Sequence, residues 1–476
     1  GGAGRGGAMS GHKNSWGEVR NPADTSEVVG TYPLLGPGDV DAAVEAARKA
    51  QVEWAARPAV ERAEVLAEAA DRIAGLDGLD ELLIREQGKV AWEAGFEVGF
   101  FEAMSTYYGA MAPGLDEGEL VVDDGMGQLR VFHEPVGLVG AITPWNWPFA
   151  LTAVKVVPAL LAGNAVIVKP ASNTPLTVMR ALGAITDLFP SGLLAVVTGP
   201  GSTVGRRLLE HPLVRKVSLT GSTETGREAA AVAAATVKNV TLELGGNDAA
   251  LILDDAEIDE ALCGNLVSGA FTTTGQLCFG VKRVYAPRAK AEQLADGLCA
   301  ILDQYTVGNG LEPGVSMGPL NNRAQRDFVV ELLADAEARS GAVRRCGEMA
   351  GDPARGWFLS PAVVTGLDDS ARLVAEEQFG PALPVLGYDS LDEAIDRVNA
   401  GEFGLASSIW TADEDRGAGL ARRIQAGTTF VNNHGLFAID LNGPFGGVKQ
   451  SGLGRELAWP GLAAYTEPHT VSTRHL

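Results

Sequence analysis

The chain has 476 residues, 46% of them hydrophobic, which is too much for one ordinary core and points to two or three domains. It carries 38 Lys and Arg against 60 Asp and Glu, a formal charge of −22 that repels phosphate backbones and argues against a nucleic-acid partner. Its 4 cysteines, Cys263, Cys278, Cys299 and Cys346, contain no CxxC spacing, so neither a zinc site nor a disulfide framework is expected, and a reducing cytoplasm fits.

In chain order, residues 1–8 (GGAGRGGA) read as an artificial remnant ahead of a start methionine at Met9. Neither a secretion signal nor a membrane span is evident, since the best apolar stretch, LTAVKVVPALLAGNAVIV, is cut by Lys155 and Pro158. Residues 39–55 carry apolar residues at helical spacing with Asp39 as the expected N-cap, and residues 59–76 form a second helix stopping near Gly75. Residues 118–137, GELVVDDGMGQLRVFHEPVG, alternate around a Gly-containing turn and predict a β-hairpin, whose edges another subunit could cover. From about residue 136 the runs VGLVGAI, NAVIVK, LLAVVTG, VRKVSLTG and NVTLELGG alternate with helical stretches such as 174–188 and 202–210. That alternation predicts a parallel sheet covered on both faces, and a second set follows with DAALIL (248–253), KRVYA (282–286) and TTFVNN (428–433).

Several places could carry chemistry. Glu243 ends the strand NVTLE, and ligands of open α/β sheets collect at carboxyl strand ends. Asn146 sits in TPWNWP, a loop too rich in Pro and Trp for a helix or central strand, where its amide could donate to an oxyanion. LTGSTETG follows a strand and should open a helix, so Gly221 and Ser222 could form an anion site. TGPGSTVG, with Gly201, has a three-residue last gap unlike the usual dinucleotide fingerprint. Cys278, in TTTGQLCFG, is either a buried thiol or a nucleophile. Each site alone also admits a structural reading: a solvated strand end, an aromatic corner, a helix-opening loop.

The segments TPWNWP, IVKPASNTP, LTGSTETG, LELGGND, FTTTGQLC, EEQFGP and PFGGVKQSGLGRELAWPGLAAYTE occur in this order. Together they resemble the aldehyde dehydrogenase superfamily, from about residue 20 to the end. The resemblance implies an α/β fold with a variant Rossmann cofactor-binding domain (9–116 and 136–245), a second α/β catalytic domain (246–450), and a β-hairpin oligomerisation element (117–135 and 459–476). It implies oxidation of an aldehyde by NAD or NADP, without metal, in a homodimer or homotetramer.

Residue by residue, Cys278 matches the nucleophile, Glu243 the general base, Asn146 the oxyanion donor beside the Cys278 N–H, and Lys155 a lysine near the proton relay. Trp145, Lys169, Ser222, Glu377 and Phe379 match cofactor contacts, with Gly201 and Gly221 in the phosphate loops. Ser172 stands where NAD-preferring relatives often have Glu, so NADP is expected to be accepted. Phe100, Trp147, Val154, Phe279 and Phe445 are expected at the substrate pocket, with Phe96 sharing the Phe100 helix face, and they favour an apolar or aromatic aldehyde. A semialdehyde substrate is the alternative. A hydrolase pairing Cys278 with His434 is a further rival, and it leaves the glycine-rich helix openings unexplained.

Overall fold

The computed structural model describes residues 15–474, so the remnant read over residues 1–8 lies outside the described residues, as do Met9 and the last two residues of the 459–476 element. An antiparallel ribbon of β1 (Trp16–Asn21) and β2 (Asp24–Pro33) leads into α1 (Pro37–Ala55). This helix starts two residues earlier than its apolar pattern suggests. Gly36 is the cap, Pro37 takes the first helical position, and Asp39 lies within the first turn, where its carboxylate accepts the Gly36 N–H at 2.8 Å. Next come α2 (Ala59–Ala74), which stops at Gly75, then α3 (Leu79–Gln87), α4 (Ala91–Gly109) and α5 (Ala112–Glu117).

The hairpin is β3 (Glu119–Asp123) and β4 (Gly127–Pro135). A third strand, Thr466–Arg474, pairs antiparallel with the whole of β4, from Thr466 opposite Pro135 to Arg474 opposite Gly127. One hairpin edge is thus covered by the tail of the same chain. The other, β3, is exposed along its length, including Leu120, Val121 and Val122.

The first α/β unit is built on β5 (Leu138–Ile142), α6 (Pro148–Leu161), β6 (Ala165–Lys169), α7 (Leu176–Gly183), β7 (Leu194–Val196), α8 (Arg206–Glu210), β8 (Lys216–Thr220), α9 (Thr223–Ala234) and β9 (Asn239–Glu243). The five strands are parallel in the order β9-β8-β5-β6-β7, and Gly452–Leu453 returns to pair antiparallel with β9. The chain winds outward from β5 through β6 and β7, then crosses back to place β8 on its other side. Strand order therefore reverses between β5 and β8, and a crevice opens there at their carboxyl ends. The strands are buried on both faces, as their Val- and Ile-rich runs predict.

The second unit has a seven-stranded sheet centred on β10 (Asp248–Ile252) and β11 (Val281–Pro287), with α10 (Glu260–Phe271) between them. Only the edge strand Ala342–Arg345 runs antiparallel. No helix among the described residues is long and apolar enough to cross a membrane.

Candidate active site

A cavity of about 880 Å³ lies at the strand-order reversal. The loops after β5, β6, β8 and β9 supply Asn146, Ser172, Ser222 and Gly245, and the second unit supplies Cys278 and Glu377.

Cys278 follows α10 through an unusual turn. Thr273 and Thr274 adopt φ of 52° and 58°, left-handed conformations that are costly for a β-branched residue. At Gly275 (φ 74°) a side chain would bring its Cβ within 2.4 Å of the Gly380 carbonyl, which explains the glycine that interrupts the local pattern. Lys282 Nζ donates to the carbonyls of Gly275 (3.1 Å) and Leu277 (2.6 Å), tying down both sides of the turn. Burial first, then the Glu377 carboxylate, push the Cys278 thiol up to about 12, and Lys282 only partly opposes them. The thiol therefore needs a base before it can attack.

Asn146 precedes α6, whose first position is Pro148. Its side-chain Nδ2 donates to the Gln276 carbonyl at 2.9 Å, which ties the amide to the cysteine segment and leaves its second N–H for another acceptor.

Glu243 ends β9, is 4% exposed, and neither of its carboxylate oxygens has a hydrogen-bond partner among the described residues. Burial and the nearby Glu456 hold it well above the usual carboxylate range, against the pull of Lys155 and Arg455. A side chain at Gly446 would put a Cβ 2.6 Å from Glu243 Oε1, so the glycine pair of PFGG leaves room for the carboxylate. Lys155 Nζ donates to Glu456 Oε1 at 2.5 Å, and the Ser218 hydroxyl donates to the same oxygen at 3.3 Å. Glu456 is a participant that sequence reasoning missed. Its only signal was its place in the GRELAWPG segment.

Around the rest of the cavity, Ser222 caps α9, its Oγ accepting the Thr225 N–H at 3.2 Å, and Gly221 precedes it. Gly201 opens a wide turn over Gly201–Gly205 that runs into α8. Lys169 borders the cavity with no carboxylate partner among the described residues, and burial pushes it down to about 8. Ser172 Oγ donates to the Gly199 carbonyl at 3.3 Å. Arg206 also faces the cavity but is paired with Glu210 and, at 2.9 Å, with Glu228, and Arg207 is turned to Asp41 at 2.5 Å. Glu377 accepts the Gly246 N–H at 3.1 Å, and burial pushes it up to about 7. A side chain at Gly245 would bring its Cβ within 2.5 Å of Glu377 Oε2. The Trp145 and Phe379 rings meet edge to face at 5.4 Å. A helix N-terminus, a lysine without a partner and glycines at each close approach suit a dinucleotide.

On the other side of Cys278, Phe96, Phe100, Trp147, Leu277 and Phe279 form one apolar cluster, and Phe279 meets Phe445 at 5.2 Å. Val154 packs instead into the core of the first unit, at 7% exposure. His434 does not pair with Cys278: its Nδ1 lies 2.8 Å from Ser408 Oγ and its Nε2 lies 3.0 Å from the Phe279 carbonyl. Because Trp410 Nε1 donates to Ser408 Oγ at 2.8 Å, that hydroxyl donates to Nδ1 and Nε2–H donates to Phe279. Both imidazole nitrogens are committed, so the Cys278–His434 hydrolase is set aside.

The fold and this site define a class. The chain belongs to the aldehyde dehydrogenase family, whose model matches residues 9–471, and it is therefore an NAD(P)-dependent oxidoreductase. It is 37% identical over 454 residues to a geranial dehydrogenase of Castellaniella defragrans, covering 94% of both chains. It is 36% identical over 461 residues to a glutarate-semialdehyde dehydrogenase of Pseudomonas aeruginosa, covering 94% of this chain and 92% of that one. Among solved structures, an NADP-dependent enzyme of E. coli superposes with a TM-score of 0.92 at 32% identity, covering 97% of this chain and 95% of that one.

Proposed function

We propose that this enzyme oxidises an apolar or aromatic aldehyde to its carboxylic acid with NAD or NADP, through a thiohemiacetal and then a thioester on Cys278. The observation that carries this reading is the pairing of two groups. Cys278 opens onto the cavity, and Glu243, a buried carboxylate, ends the strand that leads directly into the Leu244–Gly245 lining of the same cavity.

A nearby carboxylate, Glu243 or Glu377, takes the thiol proton, and the sulfur forms a bond to the aldehyde carbon. The free N–H of Asn146 and the Cys278 backbone N–H stabilise the alkoxide that results. A bound nicotinamide supplies the hydride acceptor for the oxidation. Glu377 and the Trp145–Phe379 pair would hold it. Gly221, Ser222 and Gly201 would hold the phosphates, and Lys169 the ribose. Glu243, having passed on any proton taken from the thiol, then takes one from the water that attacks the thioester, and Cys278 leaves as thiolate. Behind Glu243, the Lys155–Glu456 pair offers the proton a way onward.

The aromatic cluster supports an apolar substrate, as does the relative named for geranial, and the Lys89 ammonium against its Trp147 ring is charge-paired by Glu97. The relative named for glutarate semialdehyde keeps a semialdehyde as the second reading. Ser172 in place of a carboxylate, with Lys169 lining the same cavity, supports acceptance of NADP. The exposed β3 edge supports a homodimer or homotetramer, and the four free thiols support the cytoplasm. The test is cofactor reduction with hexanal, benzaldehyde and succinic semialdehyde, each with NAD and NADP. Reduction with the apolar aldehydes is expected. Reduction with none of the three under either cofactor would defeat the reading.

A further inference from the structure

Three charged residues at the start of α4 have no part in the chemistry above. Glu93 and Glu97, four residues apart, share one face of α4, Lys89 lies just ahead of the Val90 cap, and all three are buried, at 3%, 0% and 1% exposure. Buried charges are costly and persist where their contacts are fixed. Each of the three makes a contact that leads to the site.

Glu93 divides its oxygens. Oε2 accepts the Val90 N–H at 3.1 Å and caps its own helix. Oε1 crosses to the second unit and accepts the Thr273 N–H at 2.5 Å. Thr273 begins the strained left-handed pair ahead of Cys278, so this turn is held from outside by Glu93. Glu97 holds the other loop. Its Oε1 accepts the N–H groups of Phe149 (2.7 Å) and Ala150 (3.1 Å), in the first turn of α6. Its Oε2 pairs with Lys89 Nζ. Lys89 Nζ also donates to the Asn146 carbonyl at 3.2 Å and lies 3.7 Å from the centre of the Trp147 ring.

We propose that α4 is the positioning element of the site. Glu93 sets the nucleophile turn, the Lys89–Glu97 pair sets the oxyanion-donor loop, and one rigid helix face fixes the spacing of Cys278 and Asn146. The inference rests on the roles proposed above for those two residues. It matters because a misplacement of about 1 Å at reacting groups costs about a hundredfold in rate.

The two halves of the face can be tested separately. Glu93→Ala and Glu93→Gln probe the turn, and Glu97→Gln combined with Lys89→Met probes the loop by removing its ion pair as a unit. Four quantities are measured for each: melting temperature, NADPH binding by fluorescence, alkylation of Cys278 by iodoacetamide, and the burst of reduced cofactor with hexanal. Glu93→Ala should slow alkylation by about tenfold or more, with Glu93→Gln in between because it keeps one acceptor oxygen. Should Glu93→Ala fail to fold, Glu93→Gln carries the same test. The Lys89→Met/Glu97→Gln variant should leave alkylation within about twofold while the burst rate falls by about tenfold or more, with NADPH binding retained. Alkylation and burst falling together in step with the melting temperature, in both sets, would overturn the proposal, as would no change in either. Wild-type activity that survives complete alkylation of Cys278 would instead overturn the role of Cys278, and this inference with it.

Discussion

Lys155 on α6 reaches Glu456, 301 residues later in the chain, and donates to its Oε1 at 2.5 Å, with both side chains buried. The pair lies behind Glu243 and acts on it with opposite signs, Glu456 raising its proton affinity and Lys155 lowering it.

Removing one member is therefore expected to do more than weaken a contact. Lys155→Met leaves the Glu456 carboxylate buried and unpaired, which costs about 3–5 kcal/mol of stability. The same change removes the charge that favours ionised Glu243. Thermal melts should show a clear fall, and thioester hydrolysis should slow more than cofactor binding weakens. An unchanged melting temperature would mean that the pair is not held as described.

Cys278→Ala should abolish aldehyde oxidation while retaining the fold and cofactor binding, as judged by circular dichroism and fluorescence titration. Among the four cysteines it is the one that borders the cavity. Residual oxidation at wild-type rate would sink its assignment.

Glu243→Gln is nearly isosteric but cannot take the water's proton. A burst of reduced cofactor followed by little turnover is expected. The pH dependence follows from the environment. Because Glu243 is held well above the usual carboxylate range, it is protonated and idle as a base at low pH and becomes active only as pH rises through its raised value. Steady-state turnover should thus climb with pH on a limb lying above the ordinary carboxylate range. The Gln variant should lose that limb. A limb that persists in it would assign the water's activation to another group.

Ser172→Glu should shift the NADP/NAD ratio of kcat/KM towards NAD by about tenfold or more, mainly through the KM for NADP, because a carboxylate repels a 2′-phosphate. Steady-state kinetics with both cofactors give the answer. A ratio unmoved by the substitution would place discrimination elsewhere.

Hexanal and benzaldehyde should exceed succinic semialdehyde in kcat/KM, given the Phe96, Phe100, Trp147 and Phe279 cluster. A clear win for the semialdehyde would require an anion-binding residue outside that cluster.

Much of this arrangement was legible in the sequence because its signals are local. The strands of the first unit follow from short β-branched runs, and Cys278, Glu243 and Asn146 lie in dense motifs. What escaped depends on distant parts of the chain. Glu93 and Thr273 are 180 residues apart, and on a helix a glutamate with that spacing reads as a solvated face until its partner is known. Asp39 was misread for a nearer reason, since Pro37 and Gly38 look like a turn yet join the helix. Val154 looked like a pocket residue from its neighbourhood in the motif, but the helix phase turns it to the core. Glu456 carries no signal of its own because its environment is made by α6 and β8.

The late segment from Phe445 to Leu453 and the strand Thr466–Arg474 close the first unit from the far end of the chain. This has a consequence for dissection: the first unit is not self-contained, because segments beyond residue 445 complete it. Without them its sheet lacks the Gly452–Leu453 edge, Lys155 lacks its counter-charge, and β4 keeps β3 as its one neighbour among the described residues. A fragment cut near residue 245 is therefore expected to leave a sheet edge open and Lys155 buried without its partner, and so to be less stable than the same unit within the chain.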